Sequence, residues 1–525
     1  MRTPLVLAML GFVGCDPPHL TDRDPVIPDG LQSGGTEAYV DQGVADRALP
    51  LRALIALPLV DSAGLDATIA ALYSPASAQF RHYLDLNTLL VRHAPPQADV
   101  DAVTAFLGDT GLSVARVATN RTLIEFTGNV GAFNDRFQTE LHVFVKFGDS
   151  EFTTFGTIDD ALRAPADIAA KIAAVVVADP PPEAGDLPGE SGSIVADPPP
   201  DTKRLTLTKV AHAYGIDQVT ATGAEGQGVT IGVVVGALFK FKDVQSFWQG
   251  QGITRADPEV VQTMEPPITR FTETTLDVEW SGGLAPKADL IVYSGPDSHD
   301  TSLLYTFNAA IADARADVIT DSFAHREDAT PKVIREQYDV AARMGAALGI
   351  TIIAASGDSG EPDVPSSCPH VLSVGGTVLD TDADGARVEE RGWVSSGSGD
   401  SLSFPTPDWQ VGLPIADKRA SSDISLASGS SYWVYSFGDW GSFIGTSFAS
   451  PVFAGLMAVI DSARIQAGKP NVGFMSSMLY TTPAIQGAFF DVTTGGTGTH
   501  PATAGWDYPT GWGSPDAARL LNAIP

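Results

Sequence analysis

The sequence predicts an α/β protein, a mostly parallel sheet with helices on both faces, preceded by a smaller α+β domain. Three observations predict this. From about residue 205, continuous apolar runs such as Val229-Thr230-Ile231-Gly232-Val233-Val234-Val235 and Leu290-Ile291-Val292-Tyr293 read as strands buried on both faces, as do Val318-Ile319-Thr320 and residues 350–355. Helical stretches separate them, notably 301–315 and 331–347, so the sheet should span ~300 residues. Before residue 178 the patterned segments are shorter, and a proline-rich break divides the two regions.

In the first region, Ala53-Leu54-Ile55-Ala56-Leu57 reads as a strand, and 64–73 as an amphipathic helix carrying Leu65, Ile69, Leu72 and Tyr73. A second helix follows at 97–108, then a strand at 121–126, a helix near 130–137 and a strand at 141–145. That alternation predicts a ferredoxin-like sandwich over 46–178. The hexapeptide Val-Ala-Asp-Pro-Pro-Pro then occurs at 177–182 and again at 195–200. Proline triplets preclude helix, so 179–204 reads as an exposed connector, open to proteolysis. The second domain is expected over 205–525.

At the N-terminus, one arginine and a short apolar run end in Phe12-Val13-Gly14-Cys15, and residues 1–15 read as an export signal too short to span a bilayer. Residues 16–45 are rich in Pro, Gly and Asp and read as a tether. Cys15 and Cys368 are the only cysteines, too few for a disulfide framework. Lys plus Arg number 32 against 63 Asp plus Glu, a formal charge of −31. No cationic face for a phosphate backbone is expected, which excludes nucleic acid as a partner. The acidity suits solubility at low pH, and it equally describes an ordinary solvated surface.

The chemistry-bearing residues fall in four places. Gly445-Thr446-Ser447-Phe448-Ala449-Ser450-Pro451 precedes an apolar helix. A serine on a glycine-led turn at a helix start has an exposed hydroxyl and a free backbone N–H, although a bare Gly-Thr-Ser is equally a helix cap. Glu273 and Asp277 lie four apart, on one face of a helix if 271–280 is helical. An arbitrary pair of that kind is usually just a solvated surface. Asp358, in Ala354-Ala355-Ser356-Gly357-Asp358-Ser359-Gly360, follows a buried strand, as would a turn-forming aspartate. Finally, 490–495, 503–507 and 510–515 supply aspartates, glycines and free carbonyls, which suit a hard cation or a plain loop.

Taken together these strings resemble the sedolisin (serine-carboxyl peptidase) family, including its kumamolisin-type members. Glu273-x-x-x-Asp277-x-Glu279 before Ala285-Pro286-Lys287-Ala288 is similar to the family's acidic segment. Leu72-Tyr73-Ser74-Pro75 through Phe80-Arg81-His82-Tyr83-Leu84 is similar to its propeptide signature. A subtilisin-type alternative needs a His-Gly context and an acid ending the first core strand. None of the nine histidines precedes Gly, and that strand ends on Val235-Gly236.

The resemblance implies a subtilisin-like peptidase domain with Ser447 as nucleophile, Glu273 as base, Asp277 as its partner and Asp358 in the oxyanion hole. It implies one structural Ca2+ held by Asp491 and Asp507 and by the carbonyls of Val492, Thr503 and Gly505. It also implies an acid-active endopeptidase on protein or peptide substrates, with 46–178 as intramolecular chaperone and inhibitor and self-cleavage in 179–204. The enzyme is expected to be exported, monomeric when mature, and anchored through Cys15 if Phe-Val-Gly-Cys acts as a lipoprotein box. A catalytically silent, peptide-binding surface protein is the alternative. Three departures from the family stand out: Ile444 before Gly445, Val235 where relatives carry an acid, and Thr320-Asp321-Ser322-Phe323-Ala324 along the substrate cleft.

Overall fold

Apolar runs without polar alternation become the central strands, because only a strand covered on both faces tolerates them. The computed structural model describes residues 39–108, 110–146, 149–156, 162–177, 193–194, 204–264 and 271–525. The export segment, Cys15, the tether up to residue 38 and nearly all of the connector lie outside the described residues.

The C-terminal sheet is built from β1 (Thr230–Val235), β2 (Glu259–Gln262), β3 (Asp289–Ser294), β4 (Val318–Asp321), β5 (Thr351–Ala355), β6 (Leu372–Thr381), β7 (Arg387–Gly392) and β8 (Ile424–Ala427). Its order is β2-β3-β1-β4-β5-β6-β7, with β8 also pairing β6. Neighbours are parallel except β6 and β7, so the fold is the expected mostly parallel α/β sheet.

The main helices are α1 (Thr272–Leu284), α2 (Asp300–Asp313), α3 (Lys332–Leu348) and α4 (Thr446–Gln466). They cover both faces. On β4, Thr320 Oγ1 meets Ser450 Oγ of α4 at 2.7 Å. Ile319, one residue earlier and on the opposite face, is in register with Ile352, which packs against Gly345 of α3. Among the described residues α4 is long and apolar enough to cross a membrane, but it is buried in this core.

The N-terminal domain carries a four-stranded antiparallel sheet in the order 113–117, 123–129, 50–56, 174–177. With helices Gln97–Leu107 and Val130–Phe137 this is the ferredoxin-like arrangement, corrected in one strand. Residues 142–146 do not enter that sheet. They pair instead with Tyr39–Val44 and Asp149–Gly156, so the chain is already a strand before the tether's expected end at 45.

Period-two alternation explains how the two domains join. Ala53 and Ile55 face the domain's own helices through Val100, Phe106, Phe133 and Phe137. Leu54 and Ala56 instead belong to the same apolar cluster as the C-terminal core. Polar contacts reinforce the junction: Tyr73 Oη donates to Ala346 O at 2.8 Å and Tyr83 Oη to Asn471 O at 2.9 Å. Asn120 Nδ2 donates to Asn308 Oδ1 at 2.7 Å. Arg52 Nη1 donates to Ser302 Oγ at 3.0 Å and lies 3.6 Å from Asp297.

Candidate active site

Two helices bring the sequence-predicted residues together. Trp280 of α1 lies edge-on to Tyr432, with ring centroids 4.7 Å apart, and Tyr432 stacks on Phe448 of α4 at 4.2 Å. Trp280 Nε1 donates to Trp433 O at 3.0 Å. Each buried aromatic pair contributes about 1 kcal/mol beyond its area. This trio fixes the α1 turn carrying Asp277 against the α4 turn carrying Ser447. The helices approach closely at Gly455, where a Cβ would lie 2.9 Å from Leu284 Cβ and 3.0 Å from Ser281 O.

Ser447 is the second residue of α4 and half-buried. The chain enters through Gly445 at φ +149°, where a side chain would run into Asp358 Oδ2 at 2.8 Å. Pro451 lies inside the helix and has no N–H for the carbonyl four residues back, which is that of Ser447. Ser322 Oγ reaches that carbonyl at 3.2 Å. The Ser-Pro dipeptide thus leaves the Ser447 peptide to be held from the adjacent strand.

Glu273 lies in the first turn of α1 and Asp277 one turn later on the same face. Asp277 is fully buried, and its Oδ1 accepts from Ser322 Oγ at 2.6 Å. Burial first, and the neighbouring Glu273 second, push the Asp277 carboxyl well above the ordinary carboxylate range; Ser322 opposes this.

Asp358 follows β5. Its Oδ1 accepts from Thr446 N at 2.8 Å and Thr446 Oγ1 at 2.7 Å, while Gly357 N donates to Thr446 Oγ1 at 3.2 Å. The Asp358 side chain opens onto the cavity mouth, yet the protein walls close around it raise its pKa, outweighing the two Thr446 bonds. A raised pKa keeps a carboxyl protonated and able to donate.

Glu273, Asp358 and Ser447 line one cavity of about 290 Å³, with Ser322, Phe323, His325 and Asp363 also on its walls. Asp277 is packed behind Glu273, away from the opening. Sequence reasoning missed the roles of Ser322, Thr446 and Asp363. Ser322 sat in a run read only as cleft lining, and Asp363 in Glu361-Pro362-Asp363 carried no signal at all. Asp363 is buried and its carboxyl is pushed up to about 8, chiefly by burial.

The candidate cation residues also converge. Gly505 N donates to Asp491 Oδ2 at 3.0 Å, and Thr503 N to Asp507 Oδ2 at 2.7 Å. Val492 is buried beside them in sequence. Burial, with a contribution from Asp491, raises Asp507 to about 6. Among the described residues no group of three or more His, Cys, Asp or Glu side chains is placed to hold a metal. Cys368 is a buried free thiol.

The Pro-kumamolisin activation domain matches residues 37–179 and the subtilase family matches residues 271–513. The chain is 28% identical to sedolisin from Pseudomonas sp. (strain 101), over 98% of this chain and 94% of that protein. It is 29% identical to kumamolisin from Bacillus sp. (strain MN-32), over 85% and 86% of the two chains. The solved structure of Pseudomonas sedolisin, a serine-carboxyl proteinase complexed with two molecules of pseudo-iodotyrostatin, aligns with a TM-score of 0.55 at 29% identity. That alignment covers 61% of this chain and 98% of that one. An activation domain ahead of a subtilase-type domain, together with full-length likeness to these enzymes, places the chain in the sedolisin family of serine-carboxyl peptidases.

Proposed function

We propose that the chain is the self-processing precursor of an acid-active endopeptidase, with Ser447, Glu273, Asp277 and Asp358 as its machinery. The observation that carries this reading is the single cavity lined by Glu273, Asp358 and Ser447, with Asp277 buried behind it. Ser447 Oγ attacks the scissile carbonyl and its proton passes to Glu273. Asp277, hydrogen-bonded by Ser322, holds and orients Glu273. The developing oxyanion takes hydrogen bonds from the protonated Asp358 and the Ser447 N–H. The proton then returns from Glu273 to the leaving amine, giving an acyl-enzyme that water hydrolyses by the same steps. Carboxyl bases of ordinary pKa ~4 suit acidic operation. The test is digestion of a denatured protein by the acid-treated full chain: fragments should form near pH ~4 and fade toward neutrality. No fragments at any pH would overturn it in favour of a silent binding protein.

The N-terminal domain acts as inhibitor and folding aid, and Arg52 makes one of its acid-sensitive contacts. Burial would raise the Asp297 carboxyl, but His299, Ser302 and Arg52 outweigh it and hold the group below its usual range. A lowered carboxyl pKa stabilises docking at higher pH, and that contribution is lost as pH falls through the lowered value. Arg52→Ala should therefore raise the pH midpoint of activation by roughly one unit, read from activity appearing during stepwise acidification.

The cation residues fit a calcium ion: two carboxylates and main-chain carbonyls on one pair of loops are what a hard cation requires. Asp491 and Asp507, with the carbonyls of Val492, Thr503 and Gly505, would hold it, and it would brace the C-terminal loops without entering the reaction. Export through residues 1–15, with Cys15 as a lipid anchor, completes the proposal.

A further inference from the structure

β1 ends on Val235, without an acid, but the neighbouring strand β4 ends on one. Asp321 is in register with Val234 on one side and Ala354 on the other, and it is wholly buried. Along β4 the side chains alternate. Thr320 and Ser322 face α4 and α1, and Asp321 faces the opposite layer. Its Oδ1 accepts from Phe323 N at 3.0 Å, closing a tight bend around Ser322. Its Oδ2 is buried and has no hydrogen-bond partner among the described residues. The bend delivers Ser322 Oγ to Asp277 Oδ1 at 2.6 Å and to Ser447 O at 3.2 Å. One side chain thereby sets a hydroxyl that touches both the acidic pair and the nucleophile's peptide.

The groups that act electrostatically across Asp321 come from three elements: Asp277 of α1, His325 in the segment after β4, and Tyr338 of α3. Asp277 and Asp321 are like-charged when ionised and oppose each other's loss of a proton.

We propose that Asp321 is a positioning residue for the catalytic acids: it fixes the Ser322 bend, which holds Asp277 and the Ser447 peptide in place. This rests on the proposed mechanism. Three variants test it in the full-length protein after acid activation. Asp321→Ala removes the acceptor for Phe323 N, and kcat should fall about tenfold with KM unchanged. Asp321→Asn keeps an acceptor oxygen and should restore kcat to within about twofold at acid pH. Adding Ser322→Ala to Asp321→Ala should cost little more than either change alone. A wild type without acid protease activity would sink the functional reading and this proposal with it. An active wild type alongside an unimpaired Asp321→Ala, or an Asp321→Asn as damaged as the alanine variant, would overturn the proposal alone.

Discussion

Ser447→Ala is expected to give a folded precursor that stays full length on acidification, while the wild type shortens within its connector. Intact-mass measurement reads both. The loss in turnover should be on the order of 10⁵-fold or more, because no other group forms the acyl bond and only binding and oxyanion stabilisation remain. The substitution should not unfold the protein. Ser447 is half-buried, and its carbonyl, the atom that Ser322 grips, is kept in the alanine variant. Processing of the variant at the wild-type rate would mean that another hydroxyl or another protease makes the cut.

Glu273→Gln is expected to be nearly as damaging, about 10³- to 10⁴-fold in kcat, since an amide cannot accept the serine proton at any pH. Its effect on stability should run the other way. Carboxyls whose folded pKa is raised stabilise the fold fully at low pH, and that contribution is lost as pH climbs through the raised value. Asp277 is such a group, held up by burial and then by Glu273; Asp363 and Asp461, each pushed up to about 8 by burial, are others. Wild-type Tm should therefore fall between pH ~4 and pH ~8. Removing the Glu273 charge lightens the load on Asp277, so Glu273→Gln should lose less Tm over the same range. A variant that melts lower than wild type at neutral pH would contradict that electrostatic picture.

The strands most legible in the sequence were those with two covered faces. Residues 230–235, 289–294, 318–321 and 351–355 announce themselves as apolar runs. Strands that were missed lack that signature. Arg387–Gly392 is a charged edge strand, and Leu372–Thr381 is interrupted by Gly375 and Gly376. Ser113–Val117 is only half covered and shows little periodicity. At the site, Glu273, Asp277, Asp358 and Ser447 were readable because each sits in a distinctive local string. Ser322 and Asp363 were not, since their roles come from strand ends meeting in space. The misplaced strand at 141–145 has the same cause: its β pattern is genuine, but pairing partners are chosen by tertiary packing.

The junction between the domains has a consequence for how the enzyme is let go. Tyr73 and Tyr83 grip main-chain carbonyls, and Leu54 and Ala56 sit in shared apolar packing, none of which titrates in acid. Ion pairs also cross the junction, Arg52 with Asp297 and Arg343 with Asp66, but the uncharged contacts hold in acid. Under the proposed self-processing, cutting the connector would therefore turn the N-terminal domain from a tethered part into a free ligand that still has affinity. Dilution, or digestion of the detached piece, then governs when the cleft empties, and a crowded compartment would delay release that a sparse one permits.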